Sequence, residues 1–71
     1  MSFVYRTVDA VLSANGEVRE GDRLLIETGR PPRVDELALV RRGKAETLRR
    51  WTGPEDALEV LGVVIGIRRR L

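Results

Sequence analysis

The sequence contains no cysteine and no histidine among its 71 residues. Without cysteine the chain can form neither a disulfide nor a thiolate metal site, and without histidine it also lacks the usual partner of thiolates in zinc sites. The carboxylates show no spacing that is typical of metal ligands. Those considered are Asp22, Asp35, Glu36, Glu55 and Asp56. We therefore predict a protein that uses no metal and no other cofactor.

Aromatic residues are also scarce, since Phe3, Tyr5 and Trp51 are the only three. Proteins that bind single-stranded nucleic acid usually stack bases on several aromatic side chains, so Trp51 is better explained as a core residue or a dimer contact. No apolar run approaches the roughly 20 residues of a membrane-spanning helix. Residues 1–10 alternate and carry charge, without the apolar stretch of a signal peptide, which predicts a cytoplasmic protein.

The chain is short and nearly balanced in charge. Its length predicts a single domain, residues 1–71, and a domain of this size buries only about 60% of the surface of its unfolded chain. In the absence of disulfides and metals, oligomerisation is the remaining common source of stability. Thirteen basic residues face eleven acidic ones, a net charge of +2, so we expect nucleic acid to bind weakly or not at all.

Alternating apolar residues and turn residues predict an all-β fold. Asn15-Gly16 and Arg42-Gly43-Lys44 are turn sequences, and the paired prolines at 31 and 32 require a loop. One short helical turn is expected at 54–58, where a proline suits the first helical position. The predicted strands are 3–12, 23–28, 35–41, 45–51 and the closing stretch 59–71. Five to six such strands favour a small, partly open barrel.

The closing stretch dominates this pattern because it is apolar on both faces. Simple alternation places Val60, Gly62, Val64 and Gly66 on one side and Leu61, Val63, Ile65 and Ile67 on the other. The two glycines leave room for a close backbone approach or a bend. A domain of this size covers only one side of such a strand, so a homodimer is expected on the other. The residues expected in its interface are Val60, Val63, Val64, Ile65 and Ile67.

The order of these elements resembles the C-terminal domain of LexA-type self-cleaving repressors, which share the signal-peptidase fold. The matching segments are, in order, 13–22, 23–27, 30–32, 35–40, 42–44, 48–51 and 60–71. The Gly21-Asp22 turn and the closing strand with its arginines are the most specific of them. The resemblance implies a regulatory domain of a phage or bacterial transcription system that pairs with itself or with a LexA-like repressor.

The resemblance also implies that the catalytic dyad of this family is degenerate here. The family's nucleophilic serine falls on Ser13, and its general-base lysine falls on Arg49. Arginine stays protonated in proteins and cannot accept the serine proton. Lys44, the only lysine, lies five residues away at a turn and on the opposite face, which makes it a poor substitute. We expect no peptidase activity, and a self-cleaving serine peptidase remains as an alternative.

The arginines carry a further alternative, a small basic β-barrel that binds nucleic acid. The residues expected to contact phosphates in that case are Arg41, Arg42, Arg50, Arg68, Arg69 and Arg70. Solvated or ion-paired roles account for the same residues without any ligand. The sequence thus leaves three functional hypotheses, of which a non-catalytic interaction domain is the first.

Overall fold

A computed structural model describes residues 2–69, so the expected phosphate contact Arg70 lies outside the described residues. Within this range the chain forms five strands and one short 3-10 helix. Their bounds are β1 Ser2–Thr7, the 3-10 helix Leu12–Asn15, β2 Arg23–Thr28, β3 Leu37–Arg42, β4 Ala45–Arg50 and β5 Leu58–Arg68. The predicted all-β fold is confirmed.

The strands form one antiparallel sheet in the order β1-β2-β5-β3-β4, so the last strand of the chain lies at the centre. The sheet curls without closing. Arg6 on β1 reaches Glu46 on β4, with 2.5 Å between Nη2 and Oε1, although these two strands are the opposite edges. An ion pair therefore spans a gap that backbone hydrogen bonds leave open, as expected for a partly open barrel.

The long strand β5 joins two halves of this sheet. Its residues 58–63 pair with β3 and its residues 63–68 pair with β2, so Val63 has a partner on both sides. We call β3, β4 and the first half of β5 the β3–β4 lobe. We call β1, β2 and the second half of β5 the β1–β2 lobe. The two lobes therefore meet in the middle of one strand.

Gly62 marks this meeting point. A Cβ atom built on Gly62 would lie 2.3 Å from Cγ2 of Ile26 and 3.0 Å from the backbone oxygen of Glu27. Both atoms belong to β2, which passes too close to β5 here for any side chain to fit. Gly62 therefore provides the close backbone approach expected from the sequence.

The concave face of the curled sheet holds the larger core. The segment 8–22, which includes the 3-10 helix, lies across this face. The buried residues of this core are Val8, Leu12, Val18, Leu24, Ile26, Leu37, Leu39 and Leu48, with Leu61 and Val64 partly buried against them. Burying a leucine, isoleucine or valine side chain contributes about 2 kcal/mol, so this core is the main source of stability that the two lobes share.

The convex face carries a smaller core that belongs to the β3–β4 lobe. Ala38 and Val40 of β3 pack with Trp51, and Leu58 and Val60 of β5 lie partly buried against them. Trp51 is 9% exposed. It is therefore a core residue, which was one of the two roles expected for it.

Two local expectations from the sequence are wrong. The first strand ends at Thr7 rather than Leu12, because Asp9 begins a helical turn by accepting the N–H of Leu12 at 2.9 Å. The helical turn expected at 54–58 does not form, because Ala57 adopts a left-handed φ of 62° that interrupts a right-handed turn. The one helical turn of the described residues lies instead before β2.

The simple alternation expected along β5 is also wrong. Its pairing shifts register twice, which leaves Leu61 and Ile65 as extra residues in two β-bulges. Leu61 consequently packs in the concave-face core together with Val64. Val60, which was expected on the same side as Val64, packs in the convex-face core.

Candidate functional site

Ser13 lies in the 3-10 helix on the concave side of the sheet. Its hydroxyl donates to the carbonyl oxygen of Ala10 at 2.9 Å. The chain leaves the helix at Gly16, whose φ of 85° is left-handed and whose N–H donates to the carbonyl oxygen of Ser13. Ser13 thus makes the local backbone contacts of a turn serine.

Arg49 lies on the other side of the sheet. Its neighbour Leu48 packs in the concave-face core, so Arg49, one residue further along β4, points to the convex face. There its Nη2 atom lies 2.9 Å from Oε1 of Glu55. The structure therefore does not bring Ser13 and Arg49 together.

Lys44 lies in the turn between β3 and β4, where β4 approaches the opposite edge of the sheet. It lines a cleft of about 350 Å³ that is also lined by Arg6, Asp9, Val11, Leu12, Ala45 and Glu46. The ion pair between Arg6 and Glu46 crosses this region. Ser13 does not line the cleft, and its hydroxyl donates to the carbonyl oxygen of Ala10 rather than to Lys44.

Most arginines that were expected to contact nucleic acid are held by carboxylates. The pairs are Arg41–Glu59 at 2.6 Å, Arg42–Glu55 at 2.8 Å, Arg50–Glu17, and Arg69–Asp22 at 3.0 Å. Arg68 differs, because no carboxylate within residues 2–69 forms an ion pair with it. Arginines already paired within the chain are less available to neutralise phosphates.

The Gly21-Asp22 turn is built around a buried carboxylate. Asp22 is 2% exposed and accepts the guanidinium of Arg69 at 3.0 Å and the backbone N–H of Arg19 at 2.8 Å. The bond from Arg69 is the main reason that the pKa of Asp22 lies below its ordinary value. The turn thereby fastens the segment after β5 to the segment that covers the concave-face core.

A second charged network orders the loop between β2 and β3. Arg30 donates to Glu27 at 2.7 Å and to the two carboxylate oxygens of Glu36 at 2.8 Å and 2.9 Å. These bonds from Arg30, together with the N–H of Arg33, lower the pKa of Glu36 to about 2. Bidentate pairs of this kind fix geometry as well as charge.

Exposed apolar side chains concentrate in the β1–β2 lobe. Their exposed fractions are 53% for Phe3, 49% for Val4, 68% for Tyr5, 44% for Ile65 and 47% for Ile67. The other exposed large apolar residues within 2–69 are Val11 and Val34, which lie in turns. The exposed apolar side chains of this lobe lie on both faces of the sheet, since Phe3 and Tyr5 alternate with Val4 along β1.

The second half of β5 is paired on one side only. Residues 64–68 pair with β2, and no other strand of the described chain lies against their opposite side. We call residues 64–68 the open edge of β5. A groove of about 260 Å³ runs beside it, lined by Leu37, Arg50, Val64, Ile65, Gly66 and Ile67. Backbone groups along such an edge are free to pair with another strand.

The structure divides the residues expected in a dimer interface. Val64, Ile65 and Ile67 lie at the open edge of β5 and line its groove. Val63 is 0% exposed, so it is covered within the chain. Val60 packs in the convex-face core. Three of the five residues are therefore placed where a second chain could reach them.

Sequence reasoning missed the contribution of β1 to the exposed surface. Phe3 and Tyr5 share one face of this strand, and their alternation with Val4 was interpreted only as a strand. The edge position of β1 depends on pairing between distant strands, which alternation does not specify.

Comparison with protein-family models, with curated proteins and with solved structures finds no match for this chain. Within residues 2–69, no helix has the length and apolar character needed to cross a membrane. The same residues include no group of three or more acidic side chains arranged to hold a metal ion. In the absence of a match, the exposed apolar side chains of the β1–β2 lobe and the open edge of β5 are the main guide to function.

Proposed function

We propose that this chain is a non-catalytic interaction domain, of the LexA-like and signal-peptidase-like type, that forms a homodimer through the open edge of β5. The observation that carries this proposal is the one-sided pairing of residues 64–68 beside Ile65 and Ile67, which are 44% and 47% exposed. A second strand would cover the free backbone groups and these apolar side chains together.

A two-fold axis gives this contact a simple form. Two copies of the open edge would pair antiparallel, as a self-complementary interface requires. If the axis passes near Gly66, Ile65 of one copy lies beside Ile67 of the other. The two Arg68 side chains then lie at opposite ends of the new ladder, which avoids repulsion between them.

The LexA resemblance supports the same region, since C-terminal domains of that family pair through it. The associated role is regulatory, in the cytoplasm and in a phage or bacterial transcription system. The open edge would also accept the matching strand of a LexA-like repressor. In that case the chain would inhibit the repressor by mixed dimerisation.

The alternatives have less support from the geometry. A serine peptidase needs a base beside its nucleophile, whereas Ser13 and Arg49 lie on opposite sides of the sheet. A nucleic-acid binder needs available cations, whereas Arg41, Arg42 and Arg50 are paired with carboxylates.

Sedimentation velocity across micromolar concentrations tests the proposal. The wild-type chain is expected to sediment as a dimer that dissociates on dilution. Ile65→Glu is expected to sediment as a folded monomer, because the carboxylate would be desolvated in the interface. Val34→Glu is the matched control, since Val34 is 70% exposed in a turn outside the open edge, and it should dimerise like the wild type.

Two outcomes would contradict the proposal. One is a wild-type chain that stays monomeric at every micromolar concentration. The other is an Ile65→Glu chain that dimerises as strongly as the wild type. Far-UV circular dichroism of each variant shows whether the fold is retained.

A further inference from the structure

A cleft in the β1–β2 lobe is lined largely by arginine. Its volume is about 420 Å³, and its lining residues are Thr7, Gly21, Arg23, Arg68 and Arg69. Pockets that bind small molecules have volumes of about 300–1,000 Å³. The cleft is therefore large enough for a small anionic group, and it shares no lining residue with the groove beside the open edge of β5.

Two of these arginines lie directly opposite each other. Arg23 on β2 is the cross-strand partner of Arg68 on β5, and Thr7 on β1 is the next residue in the same row. Their side chains therefore point to the same face of the sheet, at a Cβ separation of about 5 Å. Like charges in this arrangement are destabilising unless an anion lies between them.

No carboxylate of the described chain neutralises this pair. Within residues 2–69, neither Arg23 nor Arg68 has an acidic oxygen within 4.0 Å of its guanidinium nitrogens. Asp22 lies next to the cleft but is paired with Arg69. Three cations against one carboxylate leave two positive charges at this place. Glu20 lines a neighbouring groove and does not line the cleft.

Two of the three arginines of the cleft make contacts within the chain that leave donors available. The guanidinium carbon of Arg23 lies 5.2 Å from the ring centroid of Tyr5, which is a cation–π contact. Arg69 is fixed by the buried carboxylate of Asp22. A cationic site whose side chains are already ordered loses less entropy when a ligand binds.

We propose that this cleft binds a phosphate group. Arg23 and Arg68 would each donate to one of its oxygens, and the hydroxyl of Thr7 would donate to another oxygen. Planar guanidinium groups offer paired N–H donors that match the oxygens of a phosphate. The phosphate belongs either to a small phosphorylated molecule or to the backbone of a single nucleic-acid strand. Arg68 also belongs to the open edge of β5. The phosphate site uses its guanidinium, whereas the dimer contact uses the backbone of that edge and the side chains of Ile65 and Ile67, so each proposal has its own test.

Titration with inorganic phosphate, with ionic strength held constant by chloride, tests the site. Amide NMR shifts of residues 21, 23 and 68 are expected to saturate with phosphate in the wild-type chain. In the double variant Arg23→Gln/Arg68→Gln, affinity is expected to fall by about tenfold or more, as when charge-assisted hydrogen bonds are lost. Arg33→Gln is the matched control, because Arg33 is also exposed and forms no ion pair within residues 2–69.

Equal phosphate affinity in the wild-type chain and the double variant would overturn the site, and so would amide shifts that chloride reproduces. A mononucleotide and a single-stranded oligonucleotide distinguish the two sources of the phosphate. Tighter binding of the oligonucleotide than of the mononucleotide, lost in the double variant, identifies a nucleic-acid backbone. Equal or weaker binding of the oligonucleotide, again dependent on both arginines, identifies a small molecule.

Discussion

The two lobes share one strand but differ in how completely their side chains are satisfied. In the β3–β4 lobe the arginines of the strands are all paired with carboxylates, and Trp51 covers a small second core. In the β1–β2 lobe, Arg23 and Arg68 face each other without a carboxylate from residues 2–69. That lobe also carries five exposed apolar side chains and an open strand edge.

This difference indicates where binding of a ligand or a second chain would stabilise the molecule most. A surface with paired charges and covered apolar groups offers little further stabilisation on binding, whereas uncovered apolar side chains and unpaired cations do. Both proposals therefore fall on the β1–β2 lobe. The β3–β4 lobe acts as the support that holds β5 in place.

Replacing one aromatic residue in each lobe should give the largest difference in the free energy of unfolding between the two lobes. Trp51→Ala is expected to lower the free energy of unfolding by about 3 kcal/mol, because it removes most of the convex-face core. Tyr5→Ala is expected to change it by about 0.5 kcal/mol or less, because Tyr5 is 68% exposed. Urea unfolding followed by circular dichroism measures both. Equal losses in the two variants would contradict the difference between the β3–β4 lobe, with its second core, and the β1–β2 lobe, with its exposed side chains.

The junction between the lobes should be the next most sensitive place. Gly62→Ala is expected to cost about 2 kcal/mol, because the new Cβ would overlap Ile26, which is buried and has no room to move. Gly66→Ala is the control in the open half of β5. Its Cβ would lie 3.6 Å from Cβ of Leu25, an ordinary contact, so the change should be within about 0.5 kcal/mol. Similar urea midpoints for the two variants would contradict the close approach at Gly62.

The sequence was sufficient to predict elements whose signals are local. β2 was predicted with its observed bounds, and the hairpin of β3 and β4 followed from apolar alternation around Gly43. The central position of β5 agrees with its apolar character on both faces. These features depend on strand propensity and turn chemistry within a few residues.

The features that escaped prediction depend on contacts between distant parts of the chain. The bulge at Leu61 lies in the pairing of β5 with β3, and the bulge at Ile65 lies in its pairing with β2. The residues of β5 alone do not specify either register. Gly62 and Gly66 follow the bulged residues directly and were the available signal. The separation of Ser13 from Arg49 was missed for the same reason, since it depends on which face of β4 the 3-10 helix covers.

Acid should weaken the charged network around Glu36, with a smaller effect on stability than the substitutions above. Arg30 lowers the pKa of Glu36 from its ordinary 4.5 to about 2, so this carboxylate stabilises the fold above pH 4.5. The contribution should disappear as the pH falls from about 4.5 to 2, because protonation removes the bond to Arg30. Urea unfolding at several pH values should show this loss in the wild type and a flatter profile in Glu36→Gln. Asp56→Asn, at an acid that forms no ion pair within residues 2–69, should keep the wild-type profile; a flat wild-type profile would contradict the network.

Hydrogen–deuterium exchange measured over a dilution series tests the proposed dimer contact most directly, because it compares the two halves of β5 in the same molecule. We predict that amide protection of the open edge, residues 64–68, rises with protein concentration, because a second copy pairs with it. Residues 58–62 should show much smaller changes, because their pairing with β3 lies within the chain. Protection of residues 64–68 that does not depend on concentration would contradict the account.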